Sequence, residues 1–296
     1  MDDLPGKAVV ITGAARGLGL SYARHLTASG ASVVVNDIDV AAAEQAVREL
    51  RAAGRAAVSC TGSVADPATA GRLVETCLAE FGRIDGLVNN AGIRPEGLSW
   101  REDPGLTRRA VEINVLGTMY CGAAAIAAMD RQGGGSIVNV SSRAQTGIER
   151  SATYSATKGA VASLTYSWAI DAPDGVRVNA IAPQARGTGT RRRGVPSRPE
   201  EPEPGMMAPL VTYLISDASK LISGQVIRLI GQPAGLALGL VRHPRGSRLL
   251  VKPGGWSTAD LSVAFDQVLG PELEPVGATP QPSAYIRTGD FAVTVL

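Results

Sequence analysis

Histidine is nearly absent. His25 and His243 are the only two in 296 residues, and they stand far apart. Their spacing argues against a zinc site, and a Ser-His-Asp hydrolase would lack a suitable base. The three cysteines, Cys60, Cys77 and Cys121, are odd in number and fall in apolar stretches. They read as reduced, buried thiols, which implies a cytoplasmic protein rather than a disulfide scaffold. Charge of one sign is not in excess either. The formal net charge is +2, so no nucleic-acid or membrane partner is expected on electrostatic grounds. The sequence also lacks an apolar run of membrane-spanning length, and the acidic start Met1-Asp2-Asp3 has no signal-peptide core. Lysine is scarce, four against 25 arginines, a bias we read as genome composition.

What is present is rhythm. Short apolar, β-branched runs at 7–11, 31–36, 56–60, 86–89, 136–141, 176–181 and 225–229 alternate with helical stretches at 17–29, 40–53, 66–81, 105–129 and 154–171. Such alternation predicts an α/β fold, a doubly wound parallel sheet with helices on both faces. Residues 1–231 form the expected Rossmann-like domain. Residues 232–296 form a C-terminal extension with a helix-like stretch at 257–269. Residues 184–205, rich in Arg, Pro, Glu and Gly, read as a loop.

Four motifs carry chemistry. The turn Thr12-Gly13-Ala14-Ala15-Arg16-Gly17-Leu18-Gly19 follows a strand and opens a helix. Free backbone N–H groups there attract a pyrophosphate, and glycines let it approach. Asp37 ends the second strand, where a carboxylate can accept from a ribose diol and repel a 2′-phosphate. Arg16 pulls the other way, toward NADP; Asp37 is given more weight, and NAD is the expected cofactor. Asn89-Asn90-Ala91-Gly92 closes the fourth strand. Ser141-Ser142 closes the fifth, ahead of Tyr154 and Lys158. A tyrosine four residues before a lysine is a rare coincidence in a chain with six tyrosines and four lysines. On a helix the pair shares one face.

Together these motifs resemble the short-chain dehydrogenase/reductase family with a Tyr-x-x-x-Lys centre, over residues 5–231. The resemblance implies Tyr154 as general acid/base, Lys158 as the group that lowers its pKa and holds nicotinamide-ribose hydroxyls, and Ser142 as the donor to the reacting oxygen. Asn114 would hold a relay water. Ser141 is the reserve for Ser142, because the loop to Tyr154 is one residue short. Cofactor contacts fall to Gly13, Arg16, Gly17, Leu18, Gly19, Asp37, Asn90, Ala91, Gly92, Pro183 and Thr188, with Tyr154 and Lys158. Gln184 and Ser63 depart from the family pattern. Val35-Asn36-Asp37, Ile181-Ala182-Pro183-Gln184-Ala185 and Met207-Ala208-Pro209 are similar to the dehydrogenase part of D-specific multifunctional β-oxidation enzymes. That likeness implies a 3-hydroxyacyl-CoA; steroids and other secondary alcohols are the alternatives.

The expected activity is interconversion of a secondary alcohol and a ketone, with a small-molecule substrate and no metal. The expected assembly is a homodimer through residues 105–129 and 154–171, or a tetramer, with the tail at the dimer interface. Competing readings are an NADPH-dependent ketoreductase and a non-catalytic nucleotide sensor. The run Arg191-Arg192-Arg193, a solvated loop or a CoA-phosphate contact, stays open. So do Trp100, Met206 and Met207 (pocket or packing) and Arg143 and Arg150 (substrate or surface).

Overall fold

A computed structural model describes residues 4–185, 202–232, 235–241, 284–288 and 291–295. Seven strands lie parallel: β1 (Ala8–Ile11), β2 (Ser32–Val35), β3 (Ala57–Ser59), β4 (Gly86–Asn89), β5 (Gly135–Val140), β6 (Val176–Pro183) and β7 (Val226–Gln232). Their order in the sheet is β3-β2-β1-β4-β5-β6-β7, and an eighth strand, β8 (Gly235–Leu240), adds antiparallel to β7. The order reverses between β1 and β4, which opens a crevice at the carboxyl ends of the strands.

Side-chain alternation sends each strand into two cores. Val9, Ile11, Val33 and Val35 pack with α1 (Gly17–Ala28), α2 (Val40–Ala52) and α7 (Ala208–Ile215). Ala8, Val10 and Val34 pack with α3 (Pro67–Phe81) and α5 (Gly117–Gln132). Burying each such valine or leucine contributes about 1.5–3 kcal/mol. The 20-residue α6 (Ala152–Asp171) joins this second layer through Trp168 and covers β6 and β7 through Ala162. Asp39, Asp66 and Asp103 cap α2, α3 and α4 (Pro104–Val111), accepting from the N–H groups of Ala42, Ala68 and Gly105. Each cap is worth about 1 kcal/mol.

Three features differ from the sequence reading. The helix expected at 105–129 is interrupted by a π turn at Glu112–Leu116. Within Pro104–Gln132, a window of 18 residues is apolar enough by composition to cross a membrane, with mean hydropathy 1.4. Its apolar side is used instead against α3 and β4. The sheet also continues past the expected last strand. Only two residues separate β7 from β8, and so short a link allows only antiparallel pairing. In β8 the period of two puts Leu236, Leu238 and Leu240 on one face, and they are 37%, 65% and 61% exposed. Among the described residues these leucines stay exposed. Farther on, β9 (Ala284–Thr288) and β10 (Phe291–Val295) pair as an antiparallel ribbon. The helix expected at 257–269 lies outside the described residues.

Candidate active site

One cleft of about 1200 Å³ runs along the carboxyl ends of the strands. That exceeds the roughly 300–1,000 Å³ of a pocket for one small ligand, leaving room for a dinucleotide and a substrate together. Gly13, Arg16, Gly17, Leu18, Asp37, Asn90, Ala91, Gly92 and Pro183 border it, as do Ser142, Tyr154 and Lys158. Gly19 and Asn114 stand behind its wall. Thr188 and Arg191–Arg193 lie outside the described residues.

At the phosphate end, α1 begins without a side-chain cap, because Arg16 occupies that position in extended backbone. The N–H groups of its first turn are left for a ligand. Gly17 has φ +57°, and a side chain there would point into open space over the helix start. Gly19 is needed for a different reason: a Cβ would collide with the Gly13 carbonyl and the Asn90 amide. Asn90 braces this turn by donating to the carbonyls of Thr12 and Gly13, both at 2.9 Å. A glycine-lined, uncapped helix start of this kind fits a dinucleotide pyrophosphate.

At the adenosine end, the largely buried Asp37 accepts from the N–H groups of Ala15 and Asp39, each at 3.2 Å. Arg16 is exposed, and its guanidinium lies 3.7 Å from Asp39. This corner therefore has two carboxylates for one guanidinium.

Tyr154 and Lys158 face the cleft from the first turns of α6. Lys158 donates from Nζ to the Val140 carbonyl at 2.6 Å and lies 5.7 Å from the Tyr154 ring centroid. Burial lowers its pKa to about 8. Burial also raises the Tyr154 pKa; the neighbouring Ser142 hydroxyl and the Arg94 charge oppose that shift. Ser142 additionally accepts from the Ala144 N–H at 3.1 Å. Ser141 turns inward, its hydroxyl 2.7 Å from Gln145 Oε1 and 3.0 Å from the Lys158 carbonyl. Of the two serines, then, Ser142 meets the phenol. A phenol, a hydroxyl and an ammonium on one rim can transfer a proton at a carbinol oxygen and hold that oxygen in place.

Asn114 is fully buried in the π turn. Its Oδ1 accepts from the Ile93 N–H at 2.8 Å, and its Nδ2 donates to the Ile93 carbonyl at 2.8 Å and to Thr157 at 3.0 Å. Both amide ends are engaged, so the side chain clamps the β4–α4 loop onto α6. The π turn shifts the register of the helix and turns the residue into this clamp, a frequent use of such bulges.

The loop so clamped carries a residue that sequence reasoning missed. Arg94 lies over the Tyr154 ring, 5.5 Å from its centroid, with Glu96 at 3.1 Å and Ser151 at 3.2 Å. The available signal was a charge two residues beyond Asn90-Ala91-Gly92, where the chain leaves the crevice. Arg143 lines the cleft, whereas Arg150 does not. Trp100 is 76% exposed and Met207 is fully buried in the core. Neither they nor Met206 borders the cleft. Burial raises the thiols of Cys77 and Cys121 to about 12, which makes them inert. Among the described residues no cluster of His, Cys, Asp or Glu could hold a metal.

Comparison with known proteins points the same way. The family model for short chain dehydrogenases matches residues 7–197. The chain is 37% identical over 243 residues to cis-4-hydroxycyclohexanecarboxylate dehydrogenase of Sinomonas cyclohexanicum, covering 76% of this chain and 95% of that protein. Among solved structures, a short chain dehydrogenase from Mycobacterium avium superposes with a TM-score of 0.80 at 30% identity, covering 94% of this chain and 98% of that one. A gluconate 5-dehydrogenase from Burkholderia cenocepacia J2315, solved with NADP and tartrate, superposes with a TM-score of 0.72 at 30% identity, over 77% of this chain and 95% of that one.

Proposed function

The chain belongs to the short-chain dehydrogenase family, and from that premise we propose that it is an NAD-dependent enzyme interconverting a secondary alcohol and a ketone. The observation that carries the proposal is the meeting of Ser142, Tyr154 and Lys158 at the rim of a cleft shaped for a dinucleotide. Tyr154 exchanges the proton with the substrate oxygen. Ser142 donates to that oxygen and holds it against the phenol. Lys158 supplies positive charge beside the ring and hydroxyl-binding capacity at the cleft floor. Asn114 acts through position, fixing Ile93 and Thr157 on either side of this group. A bound nicotinamide supplies the hydride and, when oxidised, a positive charge that opposes the effect of burial on Tyr154.

Asp37 and Asp39 support NAD over NADP. A 2′-phosphate beside two carboxylates is repelled, and Arg16 is partly neutralised by Asp39. Arg16 keeps the NADPH-dependent ketoreductase as the second reading, because its exposed guanidinium stands at the adenosine end, and one structural relative carries NADP. A nucleotide sensor has no use for the Ser142, Tyr154 and Lys158 grouping.

For the substrate, Ile93, Ile113 and Ile148 give the cleft apolar lining. This lining and the name of the Sinomonas relative favour a hydroxyl on a ring, with steroids in the same class and a 3-hydroxyacyl-CoA as the open-chain alternative. We assign the exposed apolar side chains of the long helical layer, such as Val111 and Met119, to a homodimer contact. The test is a panel of cyclic alcohols, steroids and 3-hydroxyacyl-CoAs with NAD and with NADP, followed by absorbance of the reduced nicotinamide. Turnover of none of them in either direction would refute the proposal.

A further inference from the structure

We propose that Arg94 is a second cation for the catalytic phenol, a positioning residue that stabilises the Tyr154 phenolate through its ring, and that Glu96 sets how strongly it does so. The inference rests on Tyr154 being the acid/base, but its test does not.

The geometry begins with the two cations at one ring. Lys158 Nζ lies 5.7 Å from the Tyr154 centroid and the Arg94 guanidinium carbon 5.5 Å. A cation over an aromatic face is attracted by the ring's negative quadrupole. That attraction grows when the phenol ionises, because charge spreads from the oxygen into the ring. A cation so placed therefore favours phenolate over phenol. The buried setting makes the effect larger than it would be in water.

Arg94 is held for this purpose at both ends of its loop. Asn114 takes the N–H and carbonyl of Ile93, the residue before it. Three residues after Arg94, the Gly97 N–H donates to the Arg150 carbonyl at 2.9 Å, next to a bridge with Ser151. The guanidinium itself reaches the Ser151 hydroxyl, at the start of α6. The loop thus moves with the helix that carries Tyr154. Arg94 Nε is buried without an acceptor, so Glu96 and Ser151 do not use up its donors.

Other charged groups border the same cleft, Arg109 and Glu112 from α4 and the π turn among them. Lys158 shares α6. Arg143 lines the cleft from the turn after β5. Glu102 accepts from Thr153, the neighbour of Tyr154, at 2.5 Å. Glu96 faces Arg94 at 3.1 Å. Among these, Arg94 has its charge over the ring from outside α6, and it opposes the upward shift that burial imposes on the phenol. Removing Arg94 and removing Glu96 should consequently act in opposite directions, which no packing role would produce.

The test is carbon-13 NMR of protein labelled at tyrosine Cζ, a position whose resonance moves on ionisation. Only six tyrosines are present, and the peak missing from Tyr154→Phe identifies Tyr154. No substrate or nucleotide is required, so the result stands whether or not an alcohol is found that the enzyme turns over. We expect Arg94→Met to move the Tyr154 titration to higher pH, Arg94→Lys to retain most of the wild-type position, and Glu96→Gln to move it lower. Where an alcohol is turned over, oxidation by Arg94→Met should fall about three- to tenfold at pH 7 and recover as the pH is raised, a tenfold change corresponding to about 1.36 kcal/mol. A titration unchanged in both Arg94→Met and Glu96→Gln, or moved in the same direction by both, would overturn the proposal. Glu96→Gln alters no charge on the catalytic helix and decides the matter if Arg94→Met fails to fold.

Discussion

Lys158 is buried as an ammonium, and that has a thermodynamic sign. A free lysine titrates near 10.4, whereas burial brings this one to about 8. At neutral pH the folded chain must hold a charge that the unfolded chain leaves in water. The penalty is present below the folded pKa. It fades as pH rises through about 8 toward the unfolded value. Its size is about 3 kcal/mol at most. We therefore expect Lys158→Met to lose activity yet melt a few degrees higher at pH 7, at roughly 2–4 °C per kcal/mol for a chain of this size. The gap should close as the pH approaches about 10. A lower melting temperature for Lys158→Met at pH 7 would show that its bond to the Val140 carbonyl outweighs the burial of charge. Asp37 makes the second prediction at this scale. Asp37→Ala should narrow the preference for NAD by relieving repulsion of a 2′-phosphate, read as kcat/KM with each nucleotide. An unaltered ratio would move the discrimination to Asp39.

At the scale of elements, the β1–α1 turn is the least forgiving. A methyl at Gly19 meets the Gly13 carbonyl and the Asn90 amide, both of which shape the phosphate cradle. Gly19→Ala should weaken nucleotide binding by about tenfold or more while leaving the fold intact, since a displaced turn alters every N–H aimed at the ligand. Titration by nucleotide fluorescence checks this, and unchanged affinity would mean the turn can relax. The turn, the strands and the Tyr154–Lys158 face were legible in the sequence because each is local: glycines at a strand end, a run of β-branched residues, a spacing of four on a helix. The π turn at Glu112–Leu116 was not, because its cause is tertiary. Asn114 is drawn to Ile93 and Thr157, and no periodicity records that. Arg94 escaped for the same reason, since its loop is placed by Asn114 and Gly97. Met207 was open between pocket and packing by sequence, and the packing of its turn on α1 puts it in the core. The Leu236, Leu238 and Leu240 stripe had the strand period, yet it lay beyond the run read as the last strand.

At the scale of the molecule, an apolar stripe on an edge strand calls for a cover. Residues beyond 241, or a second subunit, are the available candidates. Truncation after Gln232 removes β8 and frees the β7 edge. We expect the shortened protein to lose activity and to change mass in solution, by dissociation or aggregation. A truncated protein that stays dimeric, soluble and fully active would show that nothing beyond β7 is required. The central claim, however, concerns chemistry: one phenol, set on α6 beside a dinucleotide cleft, moves the proton while the nicotinamide moves the hydride. Its most direct test is Tyr154→Phe against wild type with an alcohol taken from the panel. Turnover would be followed by formation of reduced nicotinamide from NAD, and NADH binding would be measured in parallel. We predict that the variant binds NADH nearly as wild type does and turns over at less than about a hundredth of the rate, the usual scale for loss of a general acid/base. Retention of more than about a tenth of wild-type activity would contradict the assignment of Tyr154.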